Sequence, residues 1–323
     1  MVNPLSRIGA NAFHPARIRS LSGVARLAQI DSSDFVTFGE YRLLVMARPL
    51  PPQDRVLLPT RILAAAIIGF LVLAYAVLYP WPTDTRRLFA WEIKPTISAM
   101  VLGSVYLGGA YFFLRVVRAD RWHTVAGGFV PVGTFASLMG VTTILHWDRF
   151  LHGNLAFWLW VALYFTTPFL VFAVFFINRR EYLPGEADEL RLSPAAAAAI
   201  VVAGGLSVVM GAFLYLFPQR AVDIWPWHLT PLTSRMLGAI FALGLAGLGA
   251  AWERRWSAAR TLLQVACVML GLILVAGIRA HREFDSGNIL TWLFAAGFTG
   301  TAVAAVVLYL QMESRARSAT PVR

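Results

Sequence analysis

Charge is scarce in this 323-residue chain: 14% of its residues are Asp, Glu, Lys or Arg, while 58% are hydrophobic. Soluble domains carry about a quarter charged residues and about 45–50% apolar ones. A soluble globular domain is excluded on both counts, as are disordered, collagen-like and disulfide-scaffold chains. Lysine is nearly absent, since Lys94 is the one lysine among 28 basic residues and the rest are arginine. Cysteine is limited to Cys267, which rules out an intramolecular disulfide. Its place inside an apolar run makes it a small packing hydrophobe. No Cys-x-x-Cys, His-Glu-x-x-His, Gly-x-Ser-x-Gly or phosphate-loop pattern occurs. Gly244-Leu-Ala-Gly-Leu-Gly249 has the wrong order for a dinucleotide fingerprint and sits mid-span, where it serves packing.

Apolar runs, by contrast, are plentiful. They cover Ile62–Tyr79, Thr96–Leu114, Thr124–Leu145, Asn154–Ile177, Pro194–Phe217, Pro231–Trp252, Ala258–Ile278 and Asn288–Leu310. Each approaches the roughly 20 residues that cross ~30 Å of hydrocarbon at ~1.5 Å per residue. Within them, only Arg235 and Arg260 are charged. A soluble bundle would need polar stripes at helical period, and these runs are apolar all round. The fold class is therefore all-α: a polytopic membrane bundle of about eight transmembrane helices. The basic residues set its direction. Twelve fall on one side of the spans and seven on the other, outside the N-terminal arm and Arg235. By the positive-inside rule both termini are cytoplasmic, in a bacterial plasma membrane. Arginines spread over short loops as topology signals form no groove for nucleic acid. Trp81, Trp91, Trp147, Trp225 and Trp227 read as an aromatic belt at the outer interface, with Trp122, Trp252 and Trp256 at the inner one.

Residues 1–60 form a cytoplasmic arm rather than a signal peptide, because arginines interrupt every apolar stretch. The arm reads as partly disordered or amphipathic, with Ile18, Leu21, Val24, Ala25 and Ala28 on one face. Met46-Ala-Arg-Pro is an alternative natural start. A short charged linker, 179–193, contains Pro184 and Gly185, and a cytoplasmic tail follows at 312–323.

The chain also repeats itself. Trp91, Pro95, Ser98 and Met100 match Trp227, Pro231, Ser234 and Met236 at an offset of 136. Phe150, Gly153, Asn154, Trp158 and Leu159 match Phe284, Gly287, Asn288, Trp292 and Leu293 at an offset of 134. Four spans per copy, in 61–178 and 194–311, imply two parallel repeats related by an axis along the membrane normal. Glycines in the third, fifth and sixth spans allow close helix approach. Pro131 and Pro168 should kink the spans that hold them.

Polar chemistry gathers at the outer ends of the helices. The candidate site there comprises His146, Asp148, Arg149, His228, Arg235, His281, Arg282 and Glu283. Arg235 is the most informative of these, because an arginine one turn inside a span is costly unless paired or snorkelling. It reads either as a contact for an anion, carboxylate or lipid phosphate, or as one half of an ion pair with Asp223 or Glu283. Its repeat counterpart is Ala99, so the repeated unit itself does not require the charge. His146 and His281 suggest haem or metal ligation, but His146-x-Asp148 and His281-x-Glu283 diverge on a helix. No metal site or cofactor is expected, and no catalytic or cofactor-binding residue is assigned.

The stretch Trp225-Pro-Trp-His-Leu-Thr-Pro-Leu-Thr-Ser-Arg-Met-Leu-Gly238 resembles uncharacterised multi-pass integral membrane proteins of high-GC bacteria. The preference for arginine over lysine is similar to theirs. The resemblance covers each half's outer loop and second helix, and it implies no activity. The residues favour a non-catalytic membrane component: a scaffold, a lipid-binding protein or a passive carrier with a polar site on its outer face. The expected partners are the bilayer, a lipid or small-molecule ligand at that face, and other membrane proteins. The alternative is a membrane-embedded enzyme or redox protein using the outer His, Arg and carboxylate residues.

Overall fold

The computed structural model describes residues 53–183 and 189–319, all within one unit, Pro52–Arg323. The amphipathic face expected over 18–28, Met46, Pro184 and Gly185 lie outside the described residues. Among the described residues, eleven α-helices follow in order: α1 (Leu58–Leu78), α2 (Thr85–Leu88), α3 (Thr96–Arg118), α4 (Phe129–Leu145), α5 (Leu155–Arg179), α6 (Pro194–Leu216), α7 (Pro218–Ile224), α8 (Pro231–Phe241), α9 (Leu245–Glu253), α10 (Trp256–Arg279) and α11 (Ile289–Ala319). There is no strand among the described residues, only isolated bridges joining Arg55 to Arg121 and Arg191 to Arg255.

Among the described residues, eight helical stretches are long and apolar enough to cross a membrane, and their bounds fall within a few residues of the eight runs except at the end of the last, which continues to Ser318. Local chemistry explains the boundaries. Ser193 Oγ accepts the Ala196 N–H at 3.1 Å ahead of Pro194, a side-chain cap followed by a proline at the first helical position. The sixth run departs from expectation, because a 3-10 turn at Ala242–Gly244 divides it into α8 and α9. Two expected boundaries also shift. The arm's last residues enter α1 at Leu58, and the tail stays helical to Ala319, where Arg260 Nη2 reaches Glu313 Oε1 at 2.6 Å.

Burial orders the bundle. In the most apolar window of α3, 78% of residues are buried, against 6% in α11, so α3 runs through the centre and α11 along the rim. Where α6 crosses α8 and the 3-10 turn after it, there is no room for a side chain. A Cβ on Gly238 would lie 2.8 Å from Gly211 O, and one on Gly244 would lie 2.7 Å from Gly204 O. Of the two prolines, Pro168 lies inside α5, whereas Pro131 falls in the first turn of α4. A helix's first N–H groups have no intrahelical acceptor, so Pro131 demands no kink.

The tryptophans correct the belt reading. Trp91, Trp225, Trp227, Trp122 and Trp256 are buried, and only Trp81, Trp147 and Trp252 of those eight are exposed. The buried ones pin loops to helices. Trp91 meets Phe89, Phe150 and Trp160 at centroid distances of 5.0, 5.2 and 4.8 Å. Trp227 meets Trp225, Phe284 and Phe294 at 5.3, 5.2 and 5.1 Å. Such edge-to-face clusters add roughly 0.5–1.5 kcal/mol per pair beyond area burial.

Backbone bonds tie the same loops. Leu151 N–H donates to Ala90 O and Asp285 N–H to Pro226 O, both at 2.9 Å. Asn154 caps α5 and sends its amide to Arg87 O and Phe89 O, each at 3.0 Å. Asn288, ahead of α11, accepts the Leu290 N–H and donates to Ile224 O at 3.0 Å. Deeper in the bundle, Tyr79 donates its hydroxyl to Leu272 O at 2.8 Å and Tyr215 donates to Leu138 O at 2.9 Å. These last two bonds cross from each half of the chain to the other, so the halves are interlocked rather than merely adjacent.

Candidate functional site

The polar residues singled out above lie at one end of the bundle, where α4 and α10 terminate and α3 and α8 begin. Thr230 Oγ1 accepts the Thr233 N–H at 3.2 Å and starts α8, with Pro231 at its first position. Arg235 therefore sits one turn in, half-buried, facing the C-terminus of α4. His146 closes that helix, its N–H bonded to Thr142 O at 3.1 Å. Arg235 Nη1 donates to His146 Nε2 at 2.6 Å. Since a guanidinium never deprotonates in proteins and only donates, Nε2 must carry the lone pair, which leaves the proton of a neutral ring on Nδ1. Burial pushes the His146 pKa below its ordinary value, and the Arg235 charge adds to that, while Asp148 opposes it.

Arg235 has no ion pair among the described residues. The two carboxylates expected as partners are elsewhere. Asp223 is exposed. Glu283 has turned to the start of α3, where Oε1 accepts the Thr96 N–H at 3.1 Å and its hydroxyl at 2.6 Å, and Oε2 accepts the Ile97 N–H at 2.8 Å. A carboxylate on the free N–H groups and positive dipole end of a helix is a strong cap. Nearby, Arg279 Nη1 donates to Tyr79 O at 2.9 Å with its guanidinium over the Tyr79 ring.

The remaining candidates stand apart from this pair. Asp148 and Arg149 bond each other at 3.2 Å in solvent. His281 is exposed and donates from Nδ1 to Ile278 O at 3.1 Å. His228 and Arg282 are exposed, with no hydrogen bond or ion pair among the described residues. Of the eight candidates, the fold joins His146 and Arg235 to each other and Glu283 to α3. No group of three His, Cys, Asp or Glu side chains among the described residues is arranged to hold a metal ion.

At the opposite end is a polar cluster that the sequence reading passed over. Asp54 and His123 are both buried, and Asp54 takes the His123 N–H on Oδ1 and bonds Nδ1 through Oδ2. Asn178, also buried, accepts from Thr60 Oγ1 and donates to Arg55 O at 2.8 Å. Tyr182 lies near Glu253, Arg255, Asp54 and Glu189, and burial, followed by the Glu253 charge, raises its pKa. No spacing signalled this cluster, because its members come from segments about 70 to 125 residues apart. The pairing is made only when the chain ahead of α1 docks on α5 and on the turn after α3.

The eight long apolar helices, with no strand among the described residues, define an all-helical, multi-pass membrane protein. No known protein family, curated protein or solved structure matches the chain significantly.

Proposed function

We propose that the protein is a non-catalytic component of a bacterial plasma membrane that binds a lipid through its anionic headgroup at the outer end of the bundle. The reading rests on one observation: Arg235 is half-buried beside a membrane-spanning helix, faces a neutral histidine and has no carboxylate partner among the described residues. A guanidinium has five donors in a fork suited to phosphate or carboxylate. Only one of them is engaged here, so the charge is held ready for an anion that approaches in the plane of the headgroups. In this reading both termini lie on the cytoplasmic side, the side that the excess of arginines favours.

In this proposal the bundle consists of two parallel four-helix repeats. Support comes from bonds that recur at the sequence offsets: the Asn154 and Asn288 caps, the crossed Tyr79 and Tyr215 hydroxyls, and the Trp91 and Trp227 clusters. In the second copy of the contact, the counterparts of Arg235 and His146 are Ala99 and Ala280, both buried. One repeat has a polar pair where the equivalent positions of the other hold buried alanines. A difference of that kind makes a single site out of a duplicated frame.

Native mass spectrometry of the full chain, purified in mild detergent from its own host, tests the proposal. Wild-type protein should retain a lipid with an anionic headgroup, and Arg235→Ala, which reproduces the residue of the other copy, should lose it. A bare wild-type protein, or equal retention by both, would overturn the reading.

A further inference from the structure

The middle of the bundle holds a cavity of about 150 Å3 that belongs to neither polar end. Residues of α1, α3, α4, α5, α9 and α10 surround it, together with the 3-10 turn before α9. Three residues of α4 on its wall, Pro131, Val132 and Phe135, stand 134 positions before three of α10 that also line it, Val265, Ala266 and Met269. The space therefore lies between corresponding helices of the two halves.

Its chemistry is one-sided. The wall carries no Asp, Glu, Lys, Arg or His, so a charged occupant would have nothing to offset its desolvation. The wall's polar side-chain atoms are three hydroxyls, on Tyr106, Tyr164 and Thr167, all more than nine-tenths buried. Tyr106 and Tyr164 bond each other at 2.8 Å and nothing else. Two phenols share one hydrogen bond, so whichever of them accepts still has its own O–H hydrogen and no acceptor for it. The Thr167 hydroxyl, one helical turn from Tyr164, has no hydrogen-bond partner among the described residues. Buried donors are nearly always satisfied in folded proteins. Two donors without an acceptor on the wall of a cavity therefore point to an acceptor that enters it.

Size and polarity then narrow the occupant. An apolar cavity of about this volume accepts a molecule the size of a benzene ring, and water is held only where two to four polar partners converge on it. Here the hydroxyls serve one side, and Phe112, Phe135, Leu163, Leu262 and Met269 form much of the rest. We propose that this cavity binds a neutral, ring-sized carbonyl compound that partitions from the bilayer. The ring packs against the apolar wall, and the carbonyl oxygen accepts the hydrogen left over by the tyrosine pair. The inference is independent of the Arg235 reading, which concerns a charged group at the end of the bundle.

The test compares two probes of one shape, 4-fluoroacetophenone and its hydrocarbon isostere 4-fluoro-α-methylstyrene, in which a methylene replaces the carbonyl oxygen. Each is titrated into the full chain in detergent micelles and followed by 19F NMR, with empty micelles as the blank. Wild-type protein should bind the ketone about five-fold more tightly than the alkene, the value of one neutral hydrogen bond. Tyr106→Phe with Tyr164→Phe keeps the cavity's shape and removes both phenols. This double variant should bind the two probes equally while retaining the alkene. Ala136→Leu, which fills the space from α4, should lose both, and Ala266→Leu does the same from α10 should the first variant fail to fold. Equal binding of the two probes by wild-type protein would overturn the proposal, as would binding that survives both filling substitutions.

Discussion

Arg235 donates to Nε2 of His146 at 2.6 Å across 89 positions of sequence, joining α8, one turn from its start, to the residue that closes α4. A permanently charged donor on one ring nitrogen opposes protonation of that ring. Burial acts in the same direction and is the larger cause.

His146 should therefore titrate at a pH below that of a free histidine. An unfolded chain binds this proton at about pH 6.5, and the folded protein only at lower pH. The unfolded state is then the more protonated between the two values, so stability rises with pH across that window. The contribution of the neutral ring is complete above about pH 6.5 and is lost as pH falls from there. Ring 15N shifts should report the depressed pKa, and Arg235→Ala should move it part of the way back, since burial remains. Thermal melts at pH 5 and 7.5 should differ less in His146→Gln than in wild-type protein. A wild-type His146 pKa at or above the free value would contradict this account.

Glu283 links the halves by capping α3, taking three hydrogen bonds from Thr96 and Ile97. Glu283→Ala frees those donors and removes a charge from the positive end of the helix. A loss of about 1–2 kcal/mol is expected, seen as a lower melting temperature in detergent. Glu283→Gln, which keeps an acceptor but not the charge, should fall between the two.

At the opposite end, Asp54 has a left-handed backbone, with φ at 52°, and holds the buried His123. Asn tolerates this conformation better than other residues with a side chain. Asp54→Asn should therefore destabilise less than Asp54→Ala, which adds about 1 kcal/mol of backbone cost to the lost hydrogen bonds. Equal effects would show that the backbone conformation does not matter.

Two glycines separate packing from composition. Gly238→Ala would place a methyl group 2.8 Å from Gly211 O, whereas the space around Gly205 is open. The first substitution should cost about 1–3 kcal/mol through forced separation of α6 and α8. Gly205→Ala should be neutral or slightly stabilising, because alanine is the better helix former.

Topology is open to a direct check. A green fluorescent protein fused after Arg323 should fluoresce in cells, and alkaline phosphatase fused at the same point should be inactive. The reverse pattern would invert the arrangement read from the arginines.

The eight spans were legible in the order of residues alone, for a physical reason. Hydrocarbon leaves no alternative to about 20 consecutive apolar residues in a self-satisfied helix, so Thr96 and Pro194 open helices where the apolar runs open. That order also exposed Asn154 and Asn288 as equivalent positions, and both prove to tie a helix start to a distant segment, through Phe89 O and Ile224 O respectively. Arg235 stood out because a charge inside a span is costly.

The partners were invisible, since side-chain contacts between spans depend on which helix lies beside which, and an apolar run looks the same whatever it faces. Tertiary structure alone sent Glu283 to α3 instead of Arg235, turned Trp91 and Trp227 from the expected interface into loop-pinning cores, and paired Asp54 with His123. It also set Tyr106 and Tyr164 hydroxyl to hydroxyl on the wall of a cavity. Tyrosine in a span reads as packing until its O–H is seen to lack an acceptor, and that is a property of the assembled bundle.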